Sequence, residues 1–481
     1  MSLTNSLKLS FLFLLLGILT GCGGSGGGAG KIPGPFSNSS LNGMYAFSFS
    51  GANQFGFLAL VGNFAANGMG TITGGTIDIN SGNGVVTNTP LTGAYRVNSN
   101  GQGTAALRTS TGTFDLDFVI LANGNALVIR FDTTSSGSGT ILLQNSGAFS
   151  LNALAGTFVF NISGADASGS GNPESSAGVL TVDNSGNLLN GVQDTNDAGI
   201  VSPNVSLTPA NLAMGAPTNG RGTLVIGTRN FVYYVVDANH IKLLEIDPAP
   251  ALAGDAFRQT GTAISGSFAF TTSGASTGGN FVSGGVINTD GGGNVLNTSS
   301  EDVNNGGLVA QNISLSGAYS VLPSGRGTMV LNGGTINFAI YPSSSGVQMI
   351  EIDSGAEASG AAIQQTGPFT IGSVQGNYGW NFTGVVQGFT EIDSVAQFAA
   401  NAGNVTGAVD FNDGGQLSSG LALTGTYAVT ASGRGTATFQ SNLGTQNLIF
   451  YAVDSTRVLF IDADLTLVAV GEMDHQQTAS P

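Results

Sequence analysis

The sequence predicts an all-β protein of four tandem antiparallel domains with about eight strands each, and three observations carry that expectation. Charged side chains make up only 8% of the chain, while glycine supplies 76 of its 481 residues. A surface so poor in charge must be built from Ser, Thr, Asn and Gly, which suit pleated sheets and turns better than helices. Apolar residues alternate with polar ones at a period of two rather than 3.6. Short signatures recur four times at a spacing of about 110 residues, too long for a solenoid repeat and right for a small domain.

In chain order, Met1 to Lys8 carry one positive side chain, and Leu9 to Leu19 form an apolar run. That run is too short to span a bilayer, which takes about 20 residues, and has the length of the apolar region of an export signal. It ends in Leu19-Thr20-Gly21-Cys22, followed by Gly23-Gly24-Ser25-Gly26-Gly27-Gly28. This stretch resembles a bacterial lipoprotein signal peptide with its lipobox. The resemblance implies that residues 1–21 are removed, that Cys22 receives a diacylglyceryl thioether, and that its freed amino group takes an acyl chain such as palmitate. It also implies sorting to the outer membrane, since Gly23 rather than aspartate follows the cysteine. Two or more chains, at ~0.8 kcal/mol per buried methylene, anchor a protein stably where one does not. Cys22 is the only cysteine, so the chain holds no internal disulfide. Residues 22–39 then read as the acylated cysteine and a Gly-rich tether, and the expected location is the cell envelope, at the outer membrane or cell surface.

Four repeats follow, at 40–147, 148–261, 262–367 and 368–478. Each opens on Gly-x-aromatic-x-aromatic, at Gly43, Gly156, Gly266 and Gly376. Each then carries Gly-[Gln/Arg]-Gly-Thr, starting at Gly101, Gly220, Gly325 and Gly433, and closes near a Gly-x4-Gln ending at Gln144, Gln259, Gln365 and Gln476. In repeat one, Tyr45, Phe47 and Phe49 alternate with Ala46, Ser48 and Ser50, the pattern of a half-buried strand. Eight such runs, at 44–50, 57–65, 70–79, 90–97, 103–109, 113–122, 126–131 and 139–144, are separated by Gly, Asn, Ser and Asp turns. An up-and-down barrel of lipocalin or avidin type is favoured, a two-sheet β-sandwich comes second, and an eight-bladed propeller third. The propeller rests on a half-repeat, Leu41-Asn42-Gly43-Met44-Tyr45 against Leu91-Thr92-Gly93-Ala94-Tyr95. Repeat two departs most, since Leu212-Ala213-Met214-Gly215 lacks the tyrosine.

Twelve basic residues against 28 acidic ones give a net charge of −16, so no cationic footprint for nucleic acid is present. The turn arginines Arg221 and Arg326 precede strands ending in Glu245-Ile246-Asp247 and Glu351-Ile352-Asp353, where period two places both carboxylates on one face. Structural ion pairs within each repeat are therefore expected, ahead of a recurrent anion site lined by Arg221, Arg326 and Arg434, and in repeat one the arginine moves to Arg130, beside Asp132. The acidic turns that begin at Asp78, Asp194, Asp302 and Asp410 with the pattern Asp-x-Asn read first as Asx turns and second as weak calcium turns. A glutamate is missing at the twelfth position of each, so the calcium reading has only part of its ligand set. Trp380, the one tryptophan, fills a core slot or, if its barrel holds a ligand, floors a cavity. His240 and His475 stand in different repeats, too few for a three-ligand zinc site. The Gly-x-Ser-x-Gly of Gly274 to Gly278 lies in a hairpin with no helix behind it. No metal, cofactor or catalytic residue is expected. The expected function is a non-catalytic, membrane-anchored array of β domains with a surface, adhesive or structural role and an unknown envelope or glycan partner. A small-molecule or glycan-binding barrel is the alternative, and a secreted hydrolase stands last.

Overall fold

A computed structural model describes residues 36–165, 171–208, 214–259, 261–386 and 390–476; Cys22, the signal and most of the tether lie outside them. In repeat one the strands run Asn42–Asn53, Gly56–Asn67, Thr71–Ser81, Gly84–Val97, Gln102–Thr109, Gly112–Ile120, Ala126–Arg130 and Ser135–Leu143. Each pairs antiparallel with its chain neighbour, and the first pairs with the eighth from Tyr45↔Leu143 to Asn53↔Ser135. The sheet is thus a closed up-and-down barrel, as are those of repeats three and four. Closure leaves no free sheet edge, and it replaces the sandwich and propeller alternatives.

Repeat two keeps eight strands in the same order but stays open between its fourth and fifth. In the other repeats strand four runs on for 14 residues and pairs with strand five through a glycine, Gly93↔Leu107, Gly317↔Leu331 and Gly425↔Phe439. The approach there is close: a Cβ on Gly317 would sit 2.0 Å from the Val330 carbonyl oxygen. In repeat two Leu207 stands opposite Gly191 as Leu91 stands opposite Gly75, so the residue matching Gly93 is Pro209. Pro209 itself lies outside the described residues. The described strand ends at Leu207 after 8 residues. The register therefore corrects the sequence alignment, which set Leu212 to Gly215 at this place.

Each barrel has its own apolar core. Phe47, Phe160, Phe270 and Trp380 point inward and are at most 1% exposed. Trp380 donates its indole N–H to Ser394 Oγ at 3.0 Å, and the rings of Phe382, Phe398, Phe439 and Phe460 surround it at 5.1–6.2 Å. The indole fills the core and floors no cavity.

The opposite faces of these first strands were expected to meet solvent, and they do not. Ala46, Val159 and Ala269 are fully buried between barrels. Repeats one and two meet through Val61 and Tyr234, two and three through Val179 and Tyr341, three and four through Val286 and Tyr451. Repeat four then packs back on repeat one, where Val395 joins Val119, Leu121, Leu127 and Ile129. The four barrels form a closed ring. Strand four of each closed barrel keeps much of the alternating exposure that period two predicts.

Candidate functional site: the seams and the cavity they enclose

The recurring polar motifs converge at the seams. Arg221 begins strand five of repeat two (Arg221–Ile226) and faces outward beside its cross-strand partner Tyr234. Its Nε and Nη2 donate to Asp78 Oδ2 and Oδ1 of repeat one at 2.8 and 2.7 Å, and the Tyr234 hydroxyl donates to the same carboxylate. Arg326 and Tyr341 of repeat three hold Asp194 of repeat two in the same way. Arg434 and Tyr451 of repeat four hold Asp302 of repeat three. All three carboxylates are buried from solvent, and a bidentate guanidinium is the partner that makes such burial tolerable. Burial, then the adjacent carboxylate, pushes the three phenols well above their ordinary range, so each remains a proton donor.

These pairs correct the expectation of ion pairs inside a repeat. Glu245 lies inward, opposite Phe231 of the barrel core, whereas Arg221 lies outward, so the sheet separates them. Arg326 is likewise separated from Glu351, which stands opposite the core residue Phe338. Burial raises Glu245 to about 8 and, with Asp353 beside it, Glu351 to about 7. Asp247 and Asp353 instead accept the backbone and side-chain N–H groups of Asn230 and Asn337. Repeat one holds an internal pair of the expected kind, Arg130 with Asp132, and in repeat two Glu245 lies 3.8 Å from Arg229 of its own repeat rather than near the turn arginine.

The Asp-x-Asn turns are seam clamps too, which overturns the calcium reading, while a local Asx-type bond is kept at the asparagines: Asn196, Asn304 and Asn412 each accept the backbone N–H three residues on. Asp78, Asp194 and Asp302 are taken up by arginine, and Asp410 accepts from Gln102 Nε2 at 3.3 Å and from the Gly420 amide. The paired asparagines donate across the seam: Asn80 to the Glu245 and Asp247 carbonyls, Asn196 to those of Glu351 and Ala356. Asn304 does the same to Asp462 and Leu467, and Asn412 to Arg130 and Ser135. The closing glutamines add to this: Gln144 reaches Val235, Gln365 reaches Ala452, and Gln476 returns to Asn100 and Ile120 of repeat one.

The seam between repeats four and one is built differently. Gln102 and Val119 occupy the places of arginine and tyrosine, and Asp117 lies near Asp410. Burial, and then Asp410, pushes Asp117 up to about 8. In addition, the Ser136 hydroxyl donates to the buried Asp393 carboxylate across this seam.

The seams enclose an axial cavity of about 1060 Å³ lined by all four repeats. A narrower space of about 230 Å³ continues from it, with Ser273, Thr383 and Val470 in both walls. Charged lining residues come only from repeats two and four, which face each other in the ring. In repeat two, Asp255 Oδ1 lies 2.7 Å from His240 Nε2 and 3.2 Å from Lys242 Nζ. Burial alone would raise Asp255; Lys242 and His240 overcome it and hold the carboxyl well below its usual range. Lys242 also donates to Ser48 and Thr140 of repeat one. In repeat four, Arg457 donates to Glu472 at 2.6 Å and lies 3.8 Å from Asp474. The registers make the cross-strand pairs Lys242/Asp255 and Leu459/Glu472 equivalent to Leu127/Thr140 and Gln348/Ala361 in repeats one and three.

Both histidines, unrelated in the sequence, thus meet at one cavity, with His475 Nε2 against the Gln375 carbonyl. Burial lowers His475. Ser276 of the Gly-x-Ser-x-Gly stretch ends a first strand and donates to Asn305. Among the described residues no group of three or more His, Cys, Asp or Glu side chains is placed to hold a metal ion, and no helix is long and apolar enough to cross a membrane.

No family model matches the chain, and no curated protein matches it in sequence. Twelve solved chains match in structure. One, described as a putative AttH from Nitrosomonas europaea, is 8% identical over 45% of this chain and 92% of its own, with a TM-score of 0.18.

Proposed function

We propose that the chain is a lipid-anchored cell-envelope protein that displays its four β domains as a single rigid, non-catalytic ring, in a surface, adhesive or structural role. The observation that carries this reading is the use of the repeated polar motifs: Arg, Asp-x-Asn, Tyr and Gln are spent on joining one barrel to the next. Such a protein presents one preorganised surface rather than four independent binders. Barrel interiors packed with side chains weigh against a ligand held inside a barrel, as in lipocalins. The anchor rests on Leu19-Thr20-Gly21-Cys22 and the apolar run before it.

Feeding cells an alkyne fatty acid and following the mature protein tests the anchor. Label on the wild type and its loss from Cys22→Ala, together with release of that variant from the membrane fraction, is the expected result. An unlabelled wild type, or a Cys22→Ala protein that stays with the membrane, contradicts it.

A further inference from the structure

We infer that the axial cavity is a binding site for a neutral, polyhydroxylated ligand of the oligosaccharide class, held between repeats two and four. The inference is independent of the lipid anchor. It rests on an asymmetry confined to the cavity wall. The seams repeat their clamps around the ring, yet the residues turned toward the axis do not: at one cross-strand position repeat two places Lys242/Asp255 and repeat four Leu459/Glu472, with Arg457 two residues before Leu459, where repeats one and three place Leu127/Thr140 and Gln348/Ala361. Of these groups Lys242 also serves ring assembly, through Ser48 and Thr140 of repeat one, whereas the ion-pair partners of Asp255, Arg457 and Glu472 lie within their own repeats.

The chemistry of the wall selects the ligand. Each cation is already neutralised in place, Lys242 by Asp255 and Arg457 by Glu472, so neither offers an uncommitted positive charge to a phosphate or carboxylate. Asp237 adds a further acidic side chain to the lining, which disfavours anions. What remains are fixed acceptors and donors, hydroxyl groups such as Ser273, and the ring of Phe257, which also packs on His240 with centroids 4.5 Å apart. Planar hydrogen-bonding groups with an aromatic surface suit the hydroxyls and apolar faces of sugars. The volume is at the upper end of ordinary ligand sites, about 300–1,000 Å³, which admits a chain of several sugars rather than one. The narrower continuation gives such a chain a direction to run.

Titration calorimetry on the full chain in lauryldimethylamine oxide, a detergent without a sugar headgroup, tests this with four probes. Cellotetraose and chitotetraose are neutral, tetragalacturonate is anionic and tetraglucosamine is cationic. At least one neutral probe is expected to bind, and more tightly than either charged one. Glu472→Gln, which removes an acceptor, and Ala361→Phe, which fills the opposite neutral wall, should each weaken that binding about tenfold or more. Ala361→Phe keeps the test decisive if Glu472→Gln fails to fold. Absence of binding by both neutral probes overturns the proposal, as does preference for a charged probe or binding that Ala361→Phe leaves unchanged.

Discussion

At the scale of single residues, the account turns on buried carboxylates and what each one faces. Asp194 accepts two guanidinium hydrogen bonds and one phenol across a seam, so removing Arg326 strands a buried charge. Arg326→Ala should cost about 3–5 kcal/mol, the range for breaking a buried pair from one side. A double-mutant cycle with Asp194→Asn should show coupling, while the cycle with Glu351→Gln should be additive. Coupling to Glu351 instead would restore the pairing within one repeat. A second expectation concerns pH. Burial raises Asp117, Glu245 and Asp462 to about 8 and Glu351 to about 7, above the carboxylate range of about 4 in an unfolded chain. The folded state therefore binds more protons at these groups between those limits, and the stability they contribute is fully present below about pH 4 and lost as pH rises through 7 to 8. Thermal melts at pH 5.5 and 8.5 should place the higher Tm at 5.5, and Asp117→Asn should narrow the gap. A higher Tm at 8.5 would contradict the assignment.

At the scale of strands, all eight runs read from repeat one reappear in order, because period-two alternation and Gly-Asn turns are local signals. What the alternation could not reveal is that outward Ala46 and Val159 are also buried, since small apolar residues facing a neighbour look like any outward position. One clue to the true pairing was legible. Repeat one keeps Asp78 although its own turn carries Gln102 in place of arginine, so the carboxylate had to find its partner in another repeat. Repeat two carries Pro209, outside the described residues, at the sequence position that matches Gly93, Gly317 and Gly425, where strands four and five of the closed barrels meet. That closeness gives a prediction. Gly317→Ala places a methyl group 2.0 Å from a carbonyl oxygen, so it should destabilise the chain by about 1–3 kcal/mol and speed amide exchange along the strand four to five ladder of repeat three. A neutral effect on both would show that the ladder is not so tight.

At the scale of the molecule, four separately folded-looking domains were expected, and a cyclic assembly with shared clamps is found. The reason lies beyond the reach of a local pattern: contacts between residues more than a hundred positions apart decide it, such as Asn412 with Arg130 and Gln476 with Asn100. Three seams share one design, whereas the seam between repeats four and one lacks arginine and tyrosine and relies on Gln102, Ser136, Asn412 and Gln476. Closure of this last seam is the central claim, because the ring and its axial cavity both depend on it. Its backbone signature is the Ala122 amide, which donates to the His475 carbonyl at 3.0 Å, as Ser344 donates to Arg258 and Thr366 to Val453 at two other seams. Residue-resolved hydrogen exchange on the full chain reads these amides directly. Protection of Ala122 comparable to that of Ser344 and Thr366 is the predicted result. Exchange of Ala122 at the rate of an open chain, with the other two protected, would show four barrels in a row and no ring.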